Sequence, residues 1–176
     1  DWDKYFYDQV SLDSAFSKRV YVDGWLSSAY STIDLLGEFS EPFRWTADDL
    51  YHPDMKEYHE GNYSADNQFS DSNQNESRLW KYYEGIRKAS TFVNNVDLCP
   101  ELTMDEKTDM KGQARFLRAY CYWALMRVYG PVPLIPLEGL DVNLSYEELS
   151  LPREHFDVLV DFVDKELMEA ARSLSS

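Results

Sequence analysis

Residues 103–133 leave this chain little freedom. Thr103-Met104-Asp105-Glu106 has the form of a capping box, in which the Thr hydroxyl takes a free amide of the first turn and the Glu carboxylate reaches back. Met110, Ala114, Leu117, Cys121, Ala124, Leu125 and Val128 follow at three- and four-residue steps, so one face of a long helix is apolar. Tyr120, Tyr122 and Trp123 are expected to widen that buried stripe, with Arg115, Arg118 and Arg127 on other faces. Gly130 suits the left-handed position past the last turn, and Pro131 and Pro133 block any extension. A helix this long and amphipathic must be covered by neighbours.

Three further helices supply candidates. A first pattern runs from about Ser11 to Phe39, with Phe16, Val20, Val22, Leu26, Ala29, Tyr30, Ile33 and Leu36 forming a stripe. Ser11 or Asp13 can cap it, and Gly24 inside it is expected to mark a close approach of a neighbouring helix. A second runs from about Asn75-Glu76 to Asp97, carrying Leu79, Tyr82, Tyr83, Ile86, Ala89, Phe92, Val93 and Val96, and Pro100 blocks its continuation. After an extended stretch from Val132 to Leu151, Pro152 is expected to open the last helix. Its face would hold Phe156, Leu159, Val160, Val163, Leu167, Ala170, Ala171 and Leu174, packed on the two preceding helices.

No strand–helix alternation occurs, so the pattern predicts an all-α fold. Antiparallel helix pairs in a right-handed tetratricopeptide-like stack are the expected architecture, although no full repeat consensus is visible. The exception is 41–77, an irregular loop between the first two helices. Pro42, Pro53 and Gly61 interrupt it, and acids far outnumber bases. A loop of that length in a compact domain is often functional.

Charge removes several functions. The chain holds 32 Asp and Glu against 17 Lys and Arg, a net charge of -15. That field repels nucleic acid and anionic membrane surfaces. No apolar run is long enough to span a bilayer. Cys99 and Cys121 allow one bridge or two free thiols, with Cys121 in an apolar helical setting. The sequence opens at Asp1-Trp2-Asp3 without Met or signal peptide and closes at Ser175-Ser176, so a fragment trimmed at both ends is expected.

Catalytic motifs are absent from the sequence: no nucleophile elbow, dinucleotide fingerprint, phosphate loop or paired zinc histidines. No enzyme and no cofactor is therefore expected. His52 and His59 share an acidic loop with Asp54, Glu57 and Glu60, but Pro53 breaks metal-ligand spacing. Asp71-Ser72-Asn73-Gln74-Asn75 resembles half a calcium loop, yet Glu76 and Tyr82 occupy the positions that need Gly and Glu. Asp48-Asp49 reads as a pair of solvated carboxylates, and the Asn-x-Ser sites at Asn62, Asn75 and Asn143 read as chance matches in an Asn- and Ser-rich chain. The positive signal is aromatic. Trp45, Tyr51, Tyr58 and Tyr63 lie among amides and carboxylates, including Asp48 and Asn62, in the 41–77 loop. Flat rings beside hydrogen-bonding groups suit a sugar, whose C–H face stacks while its hydroxyls bond. Those six residues are the candidate ligand contacts. The same rings could instead pin the loop onto the helices.

One string carries a family resemblance. Lys111-Gly112-Gln113-Ala114-Arg115-Phe116-Leu117-Arg118-Ala119-Tyr120-Cys121-Tyr122-Trp123-Ala124-Leu125, followed by Arg127-Val128-Tyr129-Gly130-Pro131-Val132-Pro133-Leu134-Ile135, resembles the signature of the SusD/RagB family. Trp80, Tyr83 to Ile86, Ala89 and Val93-Asn94-Asn95 resemble its preceding helix, and Leu151-Pro152-Arg153 with Phe156-Asp157 its next one. The resemblance covers roughly 75–174 and implies that 1–176 is the N-terminal helical part of a longer protein. It implies a surface lipoprotein of the outer membrane that binds glycan, in some members peptide, and serves a SusC-like TonB-dependent transporter. The anchoring N-terminal cysteine of the family is not in this sequence. The family's ligand site follows no fixed motif, so no binding residue transfers by resemblance. Arg115, Arg118 and Tyr120 are expected to be structural, a charged fork and a phenol holding adjacent helices.

Overall fold

A computed structural model describes residues 12–33, 51, 53, 56–62, 78–140, 143, 145 and 150–174. Every regular element among them is helical. In chain order these are α1 (Arg19–Tyr30), the single-turn α2 (Lys56–His59), α3 (Arg78–Asn95) with a 3-10 turn at Val96–Leu98, α4 (Met104–Tyr129) and α5 (Phe156–Ser173).

α4 is the centre of the stack, with α3 on one side, α5 on another and α1 lodged against both α3 and α4. Its N-terminus is closed by the capping box: the Glu106 amide donates to Thr103 Oγ1 at 3.2 Å, and the Thr103 amide donates to Glu106 Oε2 at 2.9 Å. Its C-terminus is closed by Gly130, at φ 67, whose amide donates to the Met126 carbonyl at 3.0 Å. Pairings along the helices show their directions. Gly85 of α3 lies beside Cys121 of α4, and Asp97 after α3 meets Lys111 at 2.6 Å, so α3 and α4 are antiparallel. Gly112 lies against Ser173, and Tyr122 packs edge-on to Phe162 at 5.1 Å, so α4 and α5 are antiparallel too. This is the tetratricopeptide-like, all-α arrangement of helix pairs.

The core joins all four long helices. Phe16, Val22, Leu26, Ala29, Tyr82, Ile86, Phe92, Leu117, Leu125 and Leu159 are buried in one cluster. Cys99 and Cys121 are both buried and both free, and burial pushes the Cys121 thiol up to about 12.

Several expectations need correction. The first helix is interrupted: residues 12–15 are helical, the chain turns, and Lys18 at φ -135, ψ 147 starts α1 without a side-chain cap. The Phe16 ring wedges between Trp25 (5.4 Å) and Phe92 (5.9 Å), and the turn accommodates it. Val20 is then 66% exposed and leaves the stripe. Gly24 faces open space, whereas Gly85 and Gly112 are the glycines in close contact. Ser11 and Leu36 lie outside the described residues. Trp123 is 40% exposed and does not widen the buried stripe, while Arg118 is only 3% exposed and enters the core.

The last helix starts at Phe156, not Pro152. The Glu154 amide is committed to the Val132 carbonyl at 3.2 Å, which holds the backbone extended up to His155. Leu159, Val163 and Ala170 face α4 as expected, but Phe156, Val160, Leu167 and Leu174 remain exposed. α5 packs chiefly on α4 and not on both preceding helices. The 41–77 loop, mostly outside the described residues, contains the short helix α2.

Candidate functional site

The predicted ligand residues are only partly described. Trp45, Asp48 and Tyr63 lie outside the described residues, and Tyr58 is seen only as backbone of α2. Tyr51 is 63% exposed, with its ring 5.3 Å from that of His59. Asn62 is exposed just after Gly61, which turns the chain at φ 71. Thus Tyr51 and the end of α2 are brought together. Among the described residues no group of three His, Cys, Asp or Glu could hold a metal ion.

A concavity lies elsewhere. A cavity of about 1310 Å³ separates the outward face of α3 from the segments that follow α4 and precede α5. On α3, Trp80, Tyr83, Glu84, Arg87, Thr91 and Asn94 recur at three- and four-residue steps, which places them on one helix face. Tyr82, Ala89 and Phe92 take the opposite, buried face, and the buried Ile86 flanks the floor of the cavity. Opposite Trp80 and its row stand Tyr129, Val132, Ile135, Leu137, Leu151 and Arg153.

The far wall is irregular backbone, held by side chains of α3 and α4. The Ile135 amide donates to the Tyr122 hydroxyl at 2.8 Å, and Arg118 Nη2 donates to the Ile135 carbonyl at 2.6 Å. Both main-chain groups of Ile135 are thereby satisfied from α4. Asn94 Nδ2 donates to the Leu137 carbonyl at 2.9 Å, tying the wall to α3. Gly139, at φ 87, turns the chain and donates to the Pro136 carbonyl at 3.0 Å.

Arg118 holds this wall in place. Its Nε donates to Ser90 Oγ at 3.1 Å, its Nη1 is 3.8 Å from Glu166 Oε2, and its guanidinium lies 5.0 Å from the Phe162 ring centre. Arg115 Nη1 completes the group at 2.8 Å from Glu166 Oε1. The two arginines therefore form the expected structural fork. Tyr122 supplies a phenol that holds the wall, and the Tyr120 ring packs on Phe116 and Trp123. Tyr83 is pushed up to about 12, first by burial and then by Tyr122, with Arg153 pulling the other way. It therefore presents a neutral phenol to the cavity.

In the sequence Trp80 stands out only as part of a helix signature. The available signal was its register: it falls off the stripe of Tyr82, Ile86 and Ala89, and its ring is 69% exposed. An exposed Trp two turns from Arg87 on a face shared with Tyr83 and Asn94 is suited to stacking and hydrogen bonding.

Comparison with known proteins places this geometry in a family. A SusD-like family model, described as starch-binding associating with outer membrane, matches residues 25–176. The chain belongs to the SusD-like family. A SusD-like protein of Formosa agariphila is 30% identical over 121 residues, covering 66% of this chain and 22% of the relative. Two Bacteroides fragilis crystal structures share the fold. One, a SusD-like protein, has a TM-score of 0.65 at 22% identity, covering 92% of this chain and 30% of its own. The other, a SusD-like carbohydrate-binding protein, has a TM-score of 0.61 at 21% identity, covering 91% and 32%. The chain thus spans a third or less of these SusD-like proteins. The signature string at 111–135 corresponds to most of α4 and the wall it holds.

Proposed function

We propose that this chain is a non-catalytic glycan-binding component of a cell-surface nutrient uptake complex, and that it passes oligo- or polysaccharide to a SusC-like TonB-dependent transporter. The parent protein would sit on the outer membrane, facing outward, held by an N-terminal lipid. Membership of a family described as starch-binding and associating with the outer membrane supports the reading. The observation that carries it is the exposed Trp80 ring at a cavity that also offers Tyr83, Thr91 and Asn94. Sugar rings stack on such a surface while amide and hydroxyl groups take their hydroxyls.

The acidic aromatic segment, with Trp45, Asp48, Tyr51, Tyr58, Asn62 and Tyr63, is proposed as a second contact region. Its support is the exposure of Tyr51. A different reading makes this part of the protein a helical scaffold that touches the transporter, with ligand bound elsewhere in a longer chain. The uncovered Phe156, Val160 and Leu167 of α5, with Leu174 just past its end, favour that contact role.

Native gels cast with individual polysaccharides separate these readings. Glycan binding predicts retarded migration in at least one gel, reduced several-fold by Trp80→Ala. Normal migration in every gel contradicts glycan binding and favours the scaffold. Release of reducing sugar by the purified protein would contradict the non-catalytic assignment.

A further inference from the structure

The described lining of the cavity beside α3 is charged against the trend of the chain. Overall, 32 acids face 17 bases. Among the described residues that line the cavity the order reverses, with Lys81, Arg87 and Arg153 against Glu84 and Glu138. Glu84 is matched chiefly from outside the cavity, since Lys88 Nζ lies 2.8 Å from its Oε1, with Arg87 adding the lesser attraction. Arg153 directs Nη1 at two neutral acceptors, the carbonyls of Tyr129 at 3.4 Å and Pro131 at 3.3 Å, so these contacts leave its positive charge uncancelled. Arg87 is exposed, two helical turns from Trp80 on the same face, about 10 Å along the axis.

We infer that this cavity takes a short acidic oligosaccharide, stacking one sugar on Trp80 and meeting its carboxylate or sulfate groups with Arg87 and Arg153. The inference rests on the glycan-binding reading and narrows its ligand class. A planar guanidinium presents paired N–H donors to an oxyanion, which an uncharged sugar cannot match. The α3 face from Trp80 to Asn94 is roughly 21 Å long, enough for a few sugar rings. Ligand length is limited by the rest of the molecule. A long polyanion would overrun the cavity onto a chain of net charge -15, where repulsion opposes it.

Calorimetric titration with three tetrasaccharides tests this: a uronate, a sulfated neutral sugar and an uncharged one. The expected result is at least tenfold tighter binding of an acidic tetramer than of the uncharged one. Binding of the uronate alone or the sulfated sugar alone identifies which oxyanion is read. Arg87→Ala, at an exposed position, should cut the preference several-fold while Arg153 remains, and Trp80→Ala should weaken all binding. Arg127→Ala, which removes the guanidinium stacked on Trp123 outside the cavity, should change nothing. Equal or tighter binding of the uncharged tetramer overturns the inference and leaves glycan binding standing. An acidic preference left unchanged by Arg87→Ala overturns the assignment to this cavity. No binding of any tetramer, with no retardation by any polysaccharide, overturns both.

Discussion

α4 and α1 each carry a glycine within the helix, and the two glycines meet opposite surroundings. On α4, a Cβ at Gly112 would lie 3.0 Å from Ser173 Cβ and 3.1 Å from the Ala170 carbonyl, where the last turn of α5 crosses. On α1, a Cβ at Gly24 would meet nothing within 4 Å. The same residue type thus admits a neighbouring helix in one place and only loosens the backbone in the other. What separates them is the partner. α4 is enclosed by three helices, while the Gly24 side of α1 is uncovered.

Removing the clasp on α4 is the most damaging way to break that contrast. Arg118→Leu leaves Ser90 and the Ile135 carbonyl without their donor and takes one cation from Glu166. Breaking a buried, hydrogen-bonded charge group costs about 3–5 kcal/mol, and the remaining Arg115 contact puts the expected loss near the lower figure. Urea unfolding should show it, and a loss under about 1 kcal/mol would mean the wall does not depend on Arg118. Filling a closed glycine site comes next. At Gly85 a Cβ would lie 2.5 Å from Thr32 Oγ1 and 2.8 Å from Cys121 Sγ, so Gly85→Ala should cost about 1–3 kcal/mol by overpacking. Gly24→Ala should instead stabilise by about 0.5–1 kcal/mol, because alanine is favoured in a helix with room for it. Shifts of the same sign in both variants would remove the distinction.

A further effect is confined to alkaline solution. Burial raises the Cys121 thiol from 9.0 to about 12. The folded state therefore keeps a proton that the unfolded state loses. That contribution is fully present below pH 9.0 and is lost as pH rises toward about 12. Melting temperature should fall across that window, and Cys121→Ala should flatten part of the fall while changing the pH dependence little at neutral pH.

The long helix was legible because both its ends are written in local chemistry: Thr103 and Glu106 at one, Gly130 and Pro131 at the other. The buried stripe of α3 was legible for a similar reason, since Tyr82, Ile86, Ala89 and Phe92 keep helical spacing without interruption. Elsewhere periodicity identified apolar residues but could not say which neighbour would cover them. Phe156, Val160 and Leu167 are as apolar as Leu159 and Val163, yet only the arc facing α4 is covered. The delayed start of α5 depends on Glu154 bonding to Val132, a contact between segments that local propensity does not encode. The cavity was hidden for the same reason. Trp80 shows in the sequence as a helical aromatic, and only the fold of residues 131–140 makes it the lip of a concavity.

The proposed contact between glycan and Trp80 can be observed directly. The chain has five tryptophans: Trp2, Trp25, Trp45, Trp80 and Trp123. In protein labelled with 5-fluorotryptophan, each gives its own fluorine resonance, assigned by single Trp→Phe variants. Titration with a retained glycan should move the Trp80 resonance while that of Trp25, whose indole N–H is bonded to the Lys88 carbonyl at 3.1 Å, stays in place. A shift at Trp45 with Trp80 unmoved would contradict the claim and return the site to the acidic aromatic segment.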